Sequence, residues 1–214
     1  MLIAIPIFEG LTALDAVGPY EVLSRIPKAT VIFVASTSGM KRTDRGSLGL
    51  HADACFDDVP NCDVVVVPGG PGVEAAARDA AMLAWLSSVD QTSRWTSSVC
   101  TGALILGAAG LLRGRRATTH WLSVERLAAL GATWKPGRVI IDGKYMTAAG
   151  VSAGIDMALT LAARLAGDGV AQAIQLSIEY DPQPPFRAGN PADAPPETVE
   201  LVRQVARRTA GTRT

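Results

Sequence analysis

The segment Asp63 to Pro68 carries four consecutive valines with no polar alternation, and it runs straight into Gly69-Gly70-Pro71-Gly72. An uninterrupted β-branched run fits a strand covered on both faces, as in the centre of a parallel sheet; a half-exposed strand would alternate. Leu2 to Phe8 and Thr30 to Ala35 are earlier apolar runs of strand length, and Trp95 to Val99 is a further strand candidate. Val139 to Asp142 and Tyr145 to Thr147 flank Gly143, and the D-G pair there is a hairpin signal. Between these runs, Met82, Trp85, Leu86 and Val89 recur at helical spacing, as do Ile155, Leu159 and Ala162. Gly102 to Leu112 is apolar nearly all round, which predicts a helix buried within the fold. The βαβα order predicts an open, doubly wound α/β sandwich with a parallel sheet. Ligands of such sheets bind at the carboxyl ends of the strands.

A length of 214 residues suits one domain rather than two. The sandwich is expected over residues 1–180. Residues 181–196 hold six of the thirteen prolines and cannot form a helix or a central strand, so 181–214 is expected to be a Pro-rich strap followed by a closing helix, Glu197 to Arg208, packed on the same domain. Twenty Lys+Arg balance twenty Asp+Glu, so no broad field favours nucleic acid or an anionic membrane, and a small uncharged ligand fits better. No apolar run reaches the roughly 18 residues of a membrane span, and the N-terminus lacks signal-peptide features, which makes the cytoplasm the expected location. Cys55, Cys62 and Cys100 form an odd set without a CxxC, which indicates neither a disulfide framework nor a zinc site.

Ser98-Val99-Cys100-Thr101-Gly102 stands where a predicted strand meets the buried helix and mimics the G-x-S-x-G nucleophile elbow, with Cys100 as the nucleophile. A helix N-terminus there would favour the attacking thiolate. The Gly69-Gly70-Pro71-Gly72 loop lacks the Lys of a phosphate loop and the spacing of a dinucleotide site, but its backbone N–H groups could serve as oxyanion donors. Thr12 to Asp15 fits a T-x-x-D cap, whereas Gly18-Pro19 suggests a helix beginning at Pro19 with Asp15 in the preceding loop, free to exchange protons with a ligand on the thiol. Both readings stand on sequence, and Glu21 is the competing acid. His51 and His120 are isolated, and Cys55 and Cys62 carry no surrounding motif, which assigns them to packing.

LDAVGPYEVL (14–23), VVPGGPG (66–72), VCTGALILGAAGLLRGRRATTHW (99–121) and AGVSAGIDMAL (149–159) resemble the DJ-1/PfpI superfamily. More narrowly, they resemble the branch that holds isonitrile hydratases and the sensor domains of certain AraC-type regulators. The resemblance spans about residues 1–180 and implies a flavodoxin-like sandwich, a homodimer and no metal or organic cofactor. Cys100 aligns with the elbow cysteine and Asp15 with the aspartate that isonitrile hydratases use where DJ-1 has glutamate. Thr101 stands where PfpI-type proteases have histidine, which speaks against peptidase activity. Gly69 and Gly70 match the loop whose amides face the substrate, with Gly72 and Gly102 beside it, and His120 falls where related proteins often have a pocket histidine. A DNA-binding domain of the regulator type is not expected. The resemblance implies hydration of an isonitrile to an N-substituted formamide; the alternatives are a non-catalytic redox or ligand sensor and a glyoxalase-type enzyme.

Overall fold

The valine run lies at the centre of a seven-stranded sheet. A computed structural model describes residues 1–211, with side chains through residue 208. Its strands are β1 (Leu2–Pro6), β2 (Thr30–Ala35), β3 (Gly39–Arg42), β4 (Gly49–Ala52), β5 (Ala54–Cys55), β6 (Val64–Val67), β7 (Trp95–Val99), β8 (Arg116–Ala117), β9 (Thr133–Trp134), β10 (Val139–Asp142) and β11 (Tyr145–Ala148). The helices are α1 (Ala13–Leu23), α2 (Val73–Ala76), α3 (Ala80–Thr92), α4 (Gly102–Ala108), α5 (Val124–Ala129), α6 (Ala153–Ala166), α7 (Asp168–Ser177) and α8 (Pro196–Gly211). The main sheet runs β10-β11-β7-β6-β1-β2-β5. Every pairing in it is parallel except the β10–β11 hairpin at one edge. All four valines of β6 are fully buried, as a strand with neighbours on both sides and helices on both faces requires. α1 packs on α6 and α6 on α7, while α2, α3 and α5 pack on α4. Two short two-stranded sheets, β3–β4 and β8–β9, stand outside the main one. Among the described residues no helix is long and apolar enough to cross a membrane.

Two sequence expectations are corrected. The first is the start of α1: the helix begins at Ala13 with Thr12 as N-cap, so Pro19 lies inside it and Asp15 sits in its first turn rather than in a loop. Proline at that position removes the N–H that would reach the Asp15 carbonyl four residues back. Packing outweighs this loss, because Gly18 lets α1 approach α6 so closely that a Cβ there would stand 3.2 Å from Ile155 Cγ1. The second is the buried helix, which stops at Ala108 instead of reaching Leu112. Gly110 takes φ +78°, and the Leu111 N–H donates to the Leu106 carbonyl at 3.0 Å, closing a Schellman turn.

At the amino-terminal end of the strands a buried polar network locks α3 to β7 and β11. Asp90 Oδ1 accepts from Thr96 Oγ1 at 2.6 Å, Oδ2 accepts from the Tyr145 hydroxyl at 2.9 Å, and Lys144 Nζ lies 3.2 Å from Oδ1. Asp90→Ala removes the carboxylate that accepts from the Thr96 and Tyr145 hydroxyls, although Thr96 keeps Ser93 Oγ at 3.0 Å and Lys144 keeps the carbonyl of residue 90. It is expected to cost about 3 kcal/mol, read as a lower urea midpoint with an unchanged slope; a loss below about 1 kcal/mol would show that the network contributes little.

The chain divides into two compact units, Met1–Ile178 and Glu179–Thr214. The second consists of the exposed proline-rich segment and α8, which starts one residue before the expected Glu197 and continues past Arg208.

Candidate active site at the Cys100 elbow

Cys100 occupies the single-residue turn between β7 and the Thr101 N-cap of α4, with φ +58°. A side chain with a Cβ pays on the order of 1–2 kcal/mol to sit in this left-handed region, and it stays there only where its surroundings leave no alternative. Several contacts impose it. The Cys100 N–H donates to the Ala148 carbonyl at 3.1 Å, extending the β7–β11 ladder by one bond, and the Cys100 carbonyl accepts from Thr119 Oγ1 at 2.9 Å. Gly102 then passes so close to β6 that a Cβ would stand 2.1 Å from the Val67 carbonyl oxygen. The chain can turn from strand into helix there only with glycine.

Asp15 reaches the same place from α1 and is 0 % exposed. Its carboxyl does not turn back to cap Thr12, as a capping box would have it. Instead Oδ2 accepts from the Gly69 N–H at 2.9 Å, and the Cys100 thiol lies beside the carboxyl as a hydrogen-bonding neighbour. Oδ1 has no well-aligned protein partner. Burial pushes the Asp15 carboxyl up to about 7, against the opposing pull of the Gly69 amide and the thiol; Asp44 adds a smaller upward push. Burial likewise pushes the Cys100 thiol far up, and the neighbouring Asp15 charge reinforces it. The Thr101 N–H and hydroxyl favour the thiolate but do not win. Burial and the Asp15 charge thus oppose the helix N-terminus that the sequence reading relied on, and α4 is only seven residues long.

The glycine loop also acts differently from a free donor pair. Its Gly69 amide is bonded to Asp15, its Gly70 amide to Thr101 Oγ1 at 2.9 Å, and its Gly72 amide to the Gly10 carbonyl at 3.0 Å. The Gly69 and Gly70 N–H groups thus orient the two side chains beside Cys100, and the Gly72 N–H ties the loop to Gly10. A Cβ on Gly69 would stand 2.5 Å from both the Thr101 nitrogen and its Oγ1, so the loop approaches the elbow as closely as backbone can. His120 caps a short 3₁₀ turn through Nδ1, which accepts from the Leu122 N–H at 3.3 Å, and burial lowers its pKa. Its ring packs on Trp121 rather than joining the thiol and carboxyl. Glu21, the rival acid, is exposed and paired with Arg25 at 2.7 Å. His51 is exposed on β4, 3.8 Å from Asp53. Cys62 is buried in the core, where its thiol is pushed up to about 11, and Cys55 is half-buried in the edge strand β5. The residue that sequence reasoning missed is Thr119. Its only signal was a pair of hydroxyls in Thr118-Thr119-His120, which nothing in the linear sequence ties to Cys100.

Among the described residues no group of three or more His, Cys, Asp or Glu side chains is placed to hold a metal ion. The family model of DJ-1/PfpI matches residues 1–164. The chain belongs to the DJ-1/PfpI family. Within this family it is 44% identical over 200 residues to the isonitrile hydratase of Pseudomonas putida, covering 94% of this chain and 87% of that one. It is 29% identical over 181 residues to the HTH-type transcriptional regulator CdhR of Pseudomonas aeruginosa, covering 82% of this chain and 52% of the regulator. The crystal structure of a THiJ/PfpI family protein from Pseudomonas syringae superposes with a TM-score of 0.94 at 37% identity, covering 97% of this chain and 86% of that one. In this DJ-1/PfpI member the elbow cysteine thus faces an aspartate carried on the first helix, with threonine following the cysteine.

Proposed function

We propose that the protein is an isonitrile hydratase, adding water to R–N≡C to give R–NH–CHO with Cys100 as nucleophile and Asp15 as general acid and base. The observation that carries this reading is the buried thiol–carboxyl pair, one oxygen of which is held by Gly69 while the other has no well-aligned partner. The 44% identity to the Pseudomonas putida enzyme supports it from a separate direction.

The terminal carbon of an isonitrile accepts a nucleophile and then a proton. Ionised Asp15 takes the Sγ proton as sulfur bonds to that carbon, then returns it to the same carbon, giving the thioimidate R–N=CH–S–Cys100. Asp15, again a carboxylate, takes a proton from water as the water oxygen adds to the carbon, and the nitrogen receives that proton. The adduct R–NH–CH(OH)–S–Cys100 then breaks its C–S bond, the hydroxyl proton passing through Asp15 to the departing sulfur. Formamide leaves and the thiol is restored. Each step needs a single group that both takes and gives a proton, and a carboxyl poised near pH 7 does both. Thr101 steadies the sulfur while it carries negative charge, and its hydroxyl is itself held by the Gly70 amide.

As part of the same proposal the enzyme acts in the cytoplasm, where its free cysteines stay reduced, and as a homodimer, which the family resemblance supports. The test is incubation of the purified protein with an aryl isonitrile, following formamide by chromatography and the intact protein mass in parallel. Catalytic formamide release is expected, with a transient mass increase equal to one isonitrile. Neither formamide nor adduct at millimolar isonitrile would refute the reading.

A further inference from the structure

We propose that Thr119 is a positioning residue that holds the Cys100 elbow in the geometry required for attack. The proposal rests on the reading of Cys100 as the nucleophile. Cys100 keeps a left-handed backbone, and in the interior such a conformation persists where the surrounding structure over-determines it. Its N–H is committed to the Ala148 carbonyl at 3.1 Å. Its carbonyl precedes the N-cap of α4, so it lies outside the helix ladder, and the next carbonyl, that of Thr101, is the one that accepts from Leu104. The Thr119 hydroxyl donates to the Cys100 carbonyl at 2.9 Å in an environment where Thr119 is 2% exposed, so bulk water cannot replace it.

Thr119 is itself held in place. The neighbouring Thr118 N–H donates to Thr147 Oγ1 at 2.8 Å, and the chain just before it is paired in β8 with β9. Thr147 and Ala148 are consecutive residues of β11, in register with Ser98 and Val99 of β7. One strand therefore grips the elbow twice, directly through the Ala148 carbonyl and indirectly through Thr147, Thr118 and Thr119. Removing the hydroxyl opens the second grip and lets the Cys100 peptide rotate away from its strained conformation. The sulfur then turns away from the Asp15 carboxyl.

Thr119→Val keeps the shape and deletes the donor, while Thr119→Ser keeps the donor. The valine variant is expected to lose about 10- to 100-fold in kcat with KM within about 2-fold, as loss of one buried hydrogen bond at a positioned nucleophile predicts. Iodoacetamide alkylation of Cys100, followed by intact mass from pH 6 to 10, gives a readout that needs no isonitrile. Its pH profile is expected to shift in the valine variant and to return to the parent's in the serine variant, along with kcat. A valine variant with parental kcat and alkylation profile overturns the proposal, as does a serine variant as impaired as the valine one, since that would assign the role to the methyl group. Thr119→Ala repeats the comparison if valine does not fold. If the parent fails to hydrate isonitriles, the alkylation profiles still decide the role of Thr119.

Discussion

Cys100→Ala is expected to lower formamide production by about 10⁴-fold or more and to abolish the transient adduct, because no other group in the site can form the carbon–sulfur bond. The variant tests the chemistry cleanly. Alanine keeps the Cβ, so the left-handed turn at φ +58° carries the same backbone strain and is held by the same bonds to Ala148 and Thr119. Those bonds use main-chain atoms of residue 100, which the substitution does not touch. The fold should therefore survive, and the measurement that checks it is a melting temperature close to the parent's beside the lost turnover. Cys62→Ala is the matched control. It removes a buried thiol in the core, away from the elbow, and should cost stability while leaving the rate within about 2-fold. Retained turnover in Cys100→Ala, or a large loss in Cys62→Ala, would place the covalent step on the wrong sulfur.

The turn at Cys100 was legible in sequence because the elbow has a local signature that Cys55 and Cys62 lack. A strand end, a small residue, the cysteine and a glycine fall within five consecutive positions, and Gly102 is required there by the Val67 carbonyl that a Cβ would strike. The central strand was legible for a similar reason, since a strand covered on both faces reads as an unbroken valine run. What sequence could not show is long-range. Asp15 was caught between two local readings, a cap and a loop residue. The structure puts it at the cap-pattern position in the first turn of α1, but its oxygen is taken by an amide 54 positions away in the chain. The Gly69 and Gly70 amides looked like free donors because nothing local consumes them; Asp15 and Thr101 consume them across the site. The thiol was expected to be ionised on the strength of a helix start, yet the burial and the neighbouring carboxyl that outweigh it are properties of the assembled fold. The short sheets β3–β4 and β8–β9 escaped notice because strands of two to four residues carry too little periodicity to register.

Asp15→Asn is expected to lower kcat/KM by about 10²- to 10⁴-fold, since every proton transfer in the cycle passes through this carboxyl. The pH dependence makes the test specific. Asp15 must be ionised to take the thiol proton, and its pKa is pushed up to about 7, so parental kcat/KM should rise tenfold per pH unit below that value and level off above it. The residual activity of the asparagine variant should lack that limb. Stability should move the opposite way. In the unfolded chain the carboxyl titrates near 3.8 and in the folded protein near 7, so between these values the folded state holds a proton that the unfolded state has released. The parent therefore loses stability as pH rises through this window, whereas the asparagine variant does not. Asparagine can still accept from the Gly69 N–H, so the site keeps its bond while losing the buried charge. Thermal melts should show the variant gaining on the parent from pH 4 to 7, by on the order of 3 kcal/mol, with the gap constant above pH 7. A gap that does not vary with pH, or a pH-7 limb that survives in Asp15→Asn, would assign the titrating group to another residue. Both expected outcomes have one cause: the burial that lifts the carboxyl to about 7 would suit it to act as acid and base, and makes its charge a burden on the fold.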